Sequence, residues 1–421
     1  MVQRAHKIRL DPNNVQATAL SRAAGVARFA YNWALAQWQE QYQAHKDDPS
    51  KPRPSQYALR KQLNSIKRSE FPWMLESTKC APQEAIIALG GAFDNFFAGR
   101  ARHPTFKKRG RHDSFKLSSG NFRIDGARIH IPKVGWVRMR EPLRYVDAKQ
   151  VSVTVSRQAD RWFASVQCDL ANPAGLVPSG VDDHRSCGGS SPTADAVGVD
   201  VGVREFVVSD GTRHPVPRSL RKAQRQLKRA QQSLSRKDKG SNNRRKAKAK
   251  VARLHARVVD VRADWLHKLT SNLIADNNRV VVEDLNVAGM MSNHHLAMSI
   301  TDASFGEFRR QLAYKAEGRG RTLVVADRWF PSSKLCSACG VKTKRPMRLD
   351  VRTWTCETCG TQHDRDLNAA RNLAAYDPAV SSTVAARGEL LTSGVPAPVG
   401  AGTSSRLVEP GIRHQTRHEP V

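Results

Sequence analysis

A chain of 421 residues with 69 Lys and Arg against 38 Asp and Glu carries a formal charge of +31 and a pI near 10.5. A single-sign field of that size draws polyanions and excludes the near-neutral balance of an ordinary small-molecule enzyme, so nucleic acid is the expected partner. No apolar run is long enough to span a bilayer and no signal region opens the chain at MVQRAHKIRL. No membrane partner is therefore expected. The expected setting is the reducing cytoplasm, where paired cysteines read as metal ligands before they read as disulfides.

The stretch RAHKIRL alternates as a short strand, and Pro12 opens the turn into a helix. That helix places Leu20, Ala24, Phe29, Trp33 and Trp38 at helical spacing, so its aromatic stripe reads first as core and second as a base-stacking surface. More helix is predicted at QYALRKQLNSI and APQEAIIALGGAFDNFFAGR. HPTFKKRGRHDSFKL mixes cations with aromatics beside Pro104 and Gly110, a composition that suits a phosphate-facing loop. FRIDGARIHIPKVGWVRMR and VSVTVSRQADRWFASVQCDL alternate around turns, predicting a small antiparallel sheet or barrel. Residues 173–195, rich in Gly, Ser and Pro, read as a flexible linker or insertion, and 377–421 as a disordered tail.

Beyond the linker the pattern becomes α/β. Val197 and Val199 alternate as a buried strand does, and Asp200 stands at its end, before a second strand that turns at Asp210 and Gly211. Residues 217–257 hold Asp238 as their only acid and break at Gly240. Leu220, Leu227 and Leu234 line one helix, and Val251, Leu254, Val258, Val261 and Trp265 the next, which predicts a basic helical hairpin for nucleic-acid contact. Glu283 follows three valines in RVVVEDLNVAGM. In HDRDLNAARNLAA, Asp364 can cap a helix and Asp366 lies in its first turn.

A carboxylate on an apolar strand is costly unless it faces a cation or a cleft. An Asp, a Glu and an Asp from neighbouring strands and a helix supply the hard oxygen ligands that magnesium or manganese prefers. Spacing alone does not choose between these acids and their neighbours Asp284 and Asp364.

Cys336 and Cys339 form one C-x-x-C pair and Cys356 and Cys359 another, with Gly340 and Gly360 just after them. This is the spacing of a four-cysteine zinc site, and four thiolates leave no position for water, so such zinc braces the chain without activating a nucleophile. Lys342, Lys344, Arg345 and Arg348 within the knuckle suit phosphate contact. Cys80, Cys168 and Cys187 stand alone and read as ordinary small residues.

GVDVGVREFVVSDG, VVVEDLNVAGM, RWFPSSKLCSACG and WTCETCGTQHDRDLNAARNL together resemble the TnpB, or OrfB, proteins of bacterial insertion sequences. HKIRLDPNNVQATAL, RFAYNWAL and HPTFKKR extend the likeness from the start to about Ala375. The resemblance implies an α+β multidomain protein. A wedge-like β-barrel would occupy 1–172, with a helical recognition domain inserted at about 12–100. An RNase H-like, RuvC-type nuclease domain would follow over 196–376, interrupted by a zinc ribbon at about 330–363.

The resemblance also implies an RNA-guided DNA endonuclease, similar to type V CRISPR nucleases. A transposon-derived guide RNA pairs with one strand of double-stranded target DNA beside a short motif, and two magnesium or manganese ions serve phosphodiester hydrolysis. Carried over by position, Asp200, Glu283 and Asp366 match the family acids, Asp364 does not, and the four cysteines match the zinc ligands. A catalytically silent RNA-guided repressor and a strand-transfer transposase are the alternative readings. The insertion before Asp195 and the long tail depart from the family pattern.

Overall fold

Alternation in VQRAHKIRLD gives β1 (Val2–Asp11), which buries His6, Ile8 and Leu10. Asn13 then accepts the Gln16 backbone N–H at 2.9 Å and donates its own N–H to the Gln16 side chain at 3.1 Å. This reciprocal cap starts α1 (Asn14–Asp47). The computed structural model describes residues 2–170, 194–344, 347, 348 and 350–378. Residues 1–375 cluster as one compact unit and 376–421 as a second, of which only 376–378 are described.

After α1 come α2 (Gln56–Ile66) and α3 (Cys80–Phe97), then β2 (Ser114–Ser118), β3 (Arg123–Asp125), β4 (Arg128–Ile131), β5 (Gly135–Met139), β6 (Lys149–Gln158) and β7 (Arg161–Leu170). The aromatic stripe of α1 lines the core: Phe29, Trp33 and Trp38 pack against it, and Trp38 stacks on Phe93 with ring centroids 4.3 Å apart. The seven strands form one antiparallel sheet in the order β2-β6-β7-β1-β5-β4-β3. β1 pairs with β7 from Val2 to Leu10 but with β5 only at Leu10 and Asp11. Where the sequence suggested a closed barrel, the sheet is open among the described residues, with β2 and β3 as its edges. A three-residue β3 offers too few main-chain groups to seal such a closure.

The second sheet draws on β8 (Ala194–Val201), β9 (Glu205–Val208) and β10 (Arg213–Pro215), joined by a hairpin in which Gly211 takes φ 94°. Next come α4 (Ser219–Ser235), α5 (Asn242–Asp276), β11 (Asn277–Glu283), α6 (Val287–Met291), α7 (His294–Ala303), α8 (Phe305–Arg319) and β12 (Thr322–Ala326). Strand order is β10-β9-β8-β11-β12, with β8, β11 and β12 parallel and β9 and β10 antiparallel. Val280, Val281 and Val282 are all buried, as a strand covered on both faces requires. Phe206 sits at the centre of this core, its ring edge-on to Trp265 and Phe308.

The basic hairpin forms as α4 and α5, turning at Gly240 (φ 90°) with Ser241 capping α5. Asp302 of α7 is buried and accepts the N–H groups of Leu220 and Arg221, which fastens the start of α4 to the core. Val261, expected on the apolar face of α5, is instead 42% exposed, because the buried line shifts to Leu266, Leu269 and Leu273. Ion pairs link the two cores: Arg161–Asp260 at 2.8 Å, Arg253–Asp160 at 3.4 Å and Arg4–Glu317 at 3.6 Å.

The chain ends its described course in β13 (Thr353–Thr355), β14 (Gln362–Asp364) and α9 (Arg365–Ala374). Cys80 and Cys168 are buried and unbridged, while Cys187 and Arg345 lie outside the described residues. So do nearly all of the expected linker and tail. Among the described residues no helix is long and apolar enough to cross a membrane.

Candidate active site and four-cysteine centre

Parallel pairing places two of the sequence-predicted acids side by side. Val282 pairs with Val199, so Glu283 and Asp200 are the next residues of two adjacent parallel strands, whose backbones run about 4.8 Å apart. The third arrives on α9, whose backbone lies directly on β8. A Cβ on Gly198 would overlap the Ala370 carbonyl and the Ala374 amide and come within 2.8 Å of the Leu373 Cβ. Only glycine allows that approach. Gly198 and Asp200 share one face of β8 by alternation, and Asp366 lies one helical turn before Ala370, so the first turn of α9 hangs over Asp200.

The same arrangement bears on the charge of Asp200. Burial first, then the charges of Glu283 and Asp366, push the Asp200 carboxyl well above the usual carboxylate range, against a smaller opposing pull from Arg365. All three acids are half-buried, so solvent and ligands reach them. Ser332 donates its hydroxyl to Glu283 Oε1, and Arg352 Nη1 lies 3.3 Å from Asp366 Oδ2. A divalent cation relieves repulsion of this kind, but among the described residues the three acids do not bring one oxygen each within 4.8 Å of one another, as the four cysteines bring their sulfurs.

The neighbouring acids are occupied elsewhere. Asp284 accepts from Arg309 at 2.6 Å and from Arg328 at 2.7 Å, and those two hydrogen bonds hold its carboxyl below the usual range. Asp364 caps α9 through the Leu367 N–H at 2.9 Å and pairs with Arg213 at 2.8 Å. Sequence reasoning missed the polar side chains that brace the site. Asn368 and Asn372, both buried at i and i+4 on α9, each donate Nδ2 to the Leu335 carbonyl at 2.7 Å, and Asn372 also to Ser332 at 2.7 Å. Asn368 Oδ1 accepts the Ser337 N–H at 2.9 Å. The signal was present in DLNAARNL, where two amides share the face that the alanines bury.

The cysteines meet as their spacing predicted. Their ligand atoms all lie within 4.8 Å of one another, the one such set among the described residues. Sγ–Sγ separations of 3.6 Å for Cys336–Cys359 and 3.7 Å for Cys339–Cys356 approach the edge of about 3.8 Å that a tetrahedron with 2.3 Å zinc–sulfur bonds requires. The two knuckles share one backbone pattern: Gly340 (φ 73°) and Gly360 (φ 72°) turn the chain, and each donates N–H to the first cysteine's carbonyl, at 2.8 and 2.9 Å. Hydrogen bonding with Thr361 holds the Cys359 thiol down at about 6, while Cys339, beside the other three thiols, is pushed up to about 12, so the four sulfurs do not all favour the thiolate without a metal. His363, also unforeseen, is buried with Nε2 3.0 Å from Cys336 Sγ, where it can steady the sulfur from outside the tetrahedron.

Comparison with known proteins places this architecture. Three family models match in succession: a helix-turn-helix domain on residues 1–47, the OrfB_IS605 model described as a probable transposase on 188–294, and a Cas12f1-like TNB domain on 305–373. A protein of Streptomyces pristinaespiralis named "Putative RNA-guided DNA endonuclease" is 40% identical over 390 residues, 90% of this chain and 91% of the relative. This chain belongs to the TnpB/OrfB family. The similarly named InsQ of Escherichia coli K12 is 34% identical over 410 residues, 93% of this chain and 96% of that one. A solved Cas12f1–sgRNA–target DNA complex is similar at TM-score 0.48 and 13% identity, covering 90% of this chain and 99% of that one. In this TnpB/OrfB protein, residues 1–47 are one strand and one long helix rather than two helices about a turn.

Proposed function

We propose that this TnpB/OrfB protein is an RNA-guided DNA endonuclease whose Asp200, Glu283 and Asp366 hold magnesium or manganese for phosphodiester hydrolysis. The observation that carries the reading is the placement of Asp200 and Glu283 at the ends of adjacent parallel strands, with the first turn of α9, which bears Asp366, lying over β8. The sheet supports it: a central parallel strand flanked on one side by two antiparallel strands and on the other by two parallel ones is the order of an RNase H-like core. On this reading residues 196–376 are the nuclease part, and the seven-stranded sheet with its inserted helices is the wedge and recognition part.

Asp200, Glu283 and Asp366 would hold the ions, which would supply a water of lowered pKa and positive charge beside the leaving oxygen. The chain's own groups set that stage. Asp200 would bind an ion as its carboxylate, the Ser332 hydroxyl fixes the Glu283 rotamer, and Arg352 stands beside Asp366. Arg221, Lys222, Arg225, Lys228 and Arg229 are exposed along α4, a surface for nucleic-acid backbones, while guide RNA pairing with double-stranded target DNA supplies the sequence. The four-cysteine site takes zinc in a closed shell and stays outside the chemistry.

The test is cleavage of target DNA by the full chain with its copurified guide RNA in magnesium. Asp200→Ala and Glu283→Gln should cut at background, while Asp284→Asn should keep cutting. Undiminished cutting by Asp200→Ala refutes the site. Guided binding without cutting by wild type would point to a repressor, and strand joining without guide to a transposase.

A further inference from the structure

Trp329 is 85% exposed, the most exposed large apolar side chain among the described residues. Single exposed apolar residues are ordinary, but the position of this one is constrained on both sides. Ala326, the last residue of β12, pairs with Glu283, and Ser332 returns to donate its hydroxyl to the same Glu283. Trp329 lies three residues from each of these two anchors, so extended-chain reach keeps its Cα within about 10 Å of both.

The loop between is held, not loose. Trp329 N–H donates to Asp327 Oδ1 at 2.8 Å, Phe330 N–H to the Asp327 carbonyl at 3.0 Å, and Ser332 N–H to the Phe330 carbonyl at 2.8 Å. Arg328 is drawn to Asp284 at 2.7 Å, beside Arg309. A hydrogen-bonded turn thus presents an indole to solvent a short step from Glu283, next in the chain to Arg328, which pairs with Asp284. An aromatic face with neighbouring cations is the chemistry that holds an unpaired nucleobase together with its phosphate. Duplex DNA presents no free base face along its length, so the ligand is a single strand.

We infer that Trp329 is a stacking platform for one nucleobase of the DNA strand that passes the acids, close to the phosphate to be cut. The inference rests on the nuclease reading for its consequence, and on the loop geometry for its place. Stacking there fixes the strand's advance past Asp200, Glu283 and Asp366, so it governs where and how fast the strand is cut.

The experiment uses the full chain with guide RNA, wild type, Trp329→Ala and Trp329→Phe, on targets made abasic one position at a time near the cut. Trp329→Ala should slow cutting by about 5- to 150-fold, the range that loss of one base–aromatic stack gives, and Trp329→Phe should keep most of the rate. One abasic position should slow wild type by a similar factor and leave Trp329→Ala unchanged. Affinity for the same targets in magnesium-free buffer gives a second readout that does not require cutting, with the same expected pattern. If wild type binds but never cuts, the nuclease reading fails while the stack is still decided by binding. Trp329→Ala with wild-type rate and affinity overturns the inference, as do abasic effects that persist in that variant. A large fall in its melting temperature also overturns it, since the ring would then be packing on protein.

Discussion

Gly198→Ala tests whether the contact between α9 and β8 sets the acids in place. The added methyl would overlap main-chain atoms of Ala370 and Ala374 and stand 2.8 Å from the Leu373 Cβ. Carbon atoms settle at about 3.5–4.0 Å, so the helix must lift by roughly 1 Å. Backbone cannot swing aside as a flexible side chain can, which puts the cost toward the upper part of the 1–3 kcal/mol typical of overpacking, about 2–3 kcal/mol. On the proposed reading the lift carries Asp366 away from Asp200, and a misplacement of about 1 Å costs on the order of 10²-fold in rate. The assay pairs a thermal melt with single-turnover guided cleavage at saturating magnesium. Gly91→Ala in α3 is the control: its new Cβ meets nothing within 4 Å, so it should gain about 0.5–1 kcal/mol and cut normally. Wild-type melting and cutting in Gly198→Ala would show that the helix does not rest where described. A lowered melt with an unchanged rate would show that α9 does not position an acting residue.

Two further outcomes follow from the site's charges and sulfurs. Asp200 has a folded pKa above its unfolded value of about 3.9, so the folded state binds more protons and stability falls as pH rises from about 4 toward the folded value. In magnesium-free buffer Asp200→Asn should remove that slope and melt above wild type at pH 7.5 while cutting nothing, and an equal or lower melt there contradicts the raised carboxyl. Cys339→Ser changes an exposed sulfur with little packing to lose, yet should cost the protein its zinc and slow cutting at saturating magnesium by about tenfold or more. Full cutting by zinc-free protein would separate the ribbon from the site.

Much of the fold was legible because local pattern dictated it. The three valines before Glu283 made a central strand, Asn13 and Asp364 capped their helices, and two C-x-x-C pairs with trailing glycines made matching knuckles. What was illegible depended on distant partners. Glu283 and Asp284 are adjacent acids at one strand end, and nothing in VVVED tells that Asp284 is clamped by Arg309 and Arg328, 25 and 44 residues away. Asp364 and Asp366 differ likewise through Arg213, 151 residues from Asp364. Closure of the first sheet was misjudged because alternation announces strands but not whether its edges meet. Gly198 looked like an ordinary strand glycine until α9 was laid upon it.

The fold also answers why a sulfur cluster stands beside an acid cluster. From Ser333 to Gln362 the buried side chains among the described residues are Cys336 and Cys356 alone, so this stretch has no core of its own to hold it in place. Yet its first knuckle is fastened to the residues around the acids. Asn368 and Asn372 on α9 take the Ser332 and Leu335 carbonyls, Asn368 takes the Ser337 N–H, and Ser332 reaches across to Glu283. One short segment, 332–337, therefore joins the strand that bears Glu283, the helix that bears Asp366, and Cys336. Closing four thiolates on zinc would remove the freedom of that segment, and with it the freedom of two of the three acids relative to each other. On the proposed reading zinc does its work before magnesium arrives: it fixes the spacing at which mutually repelling carboxylates wait for their cation.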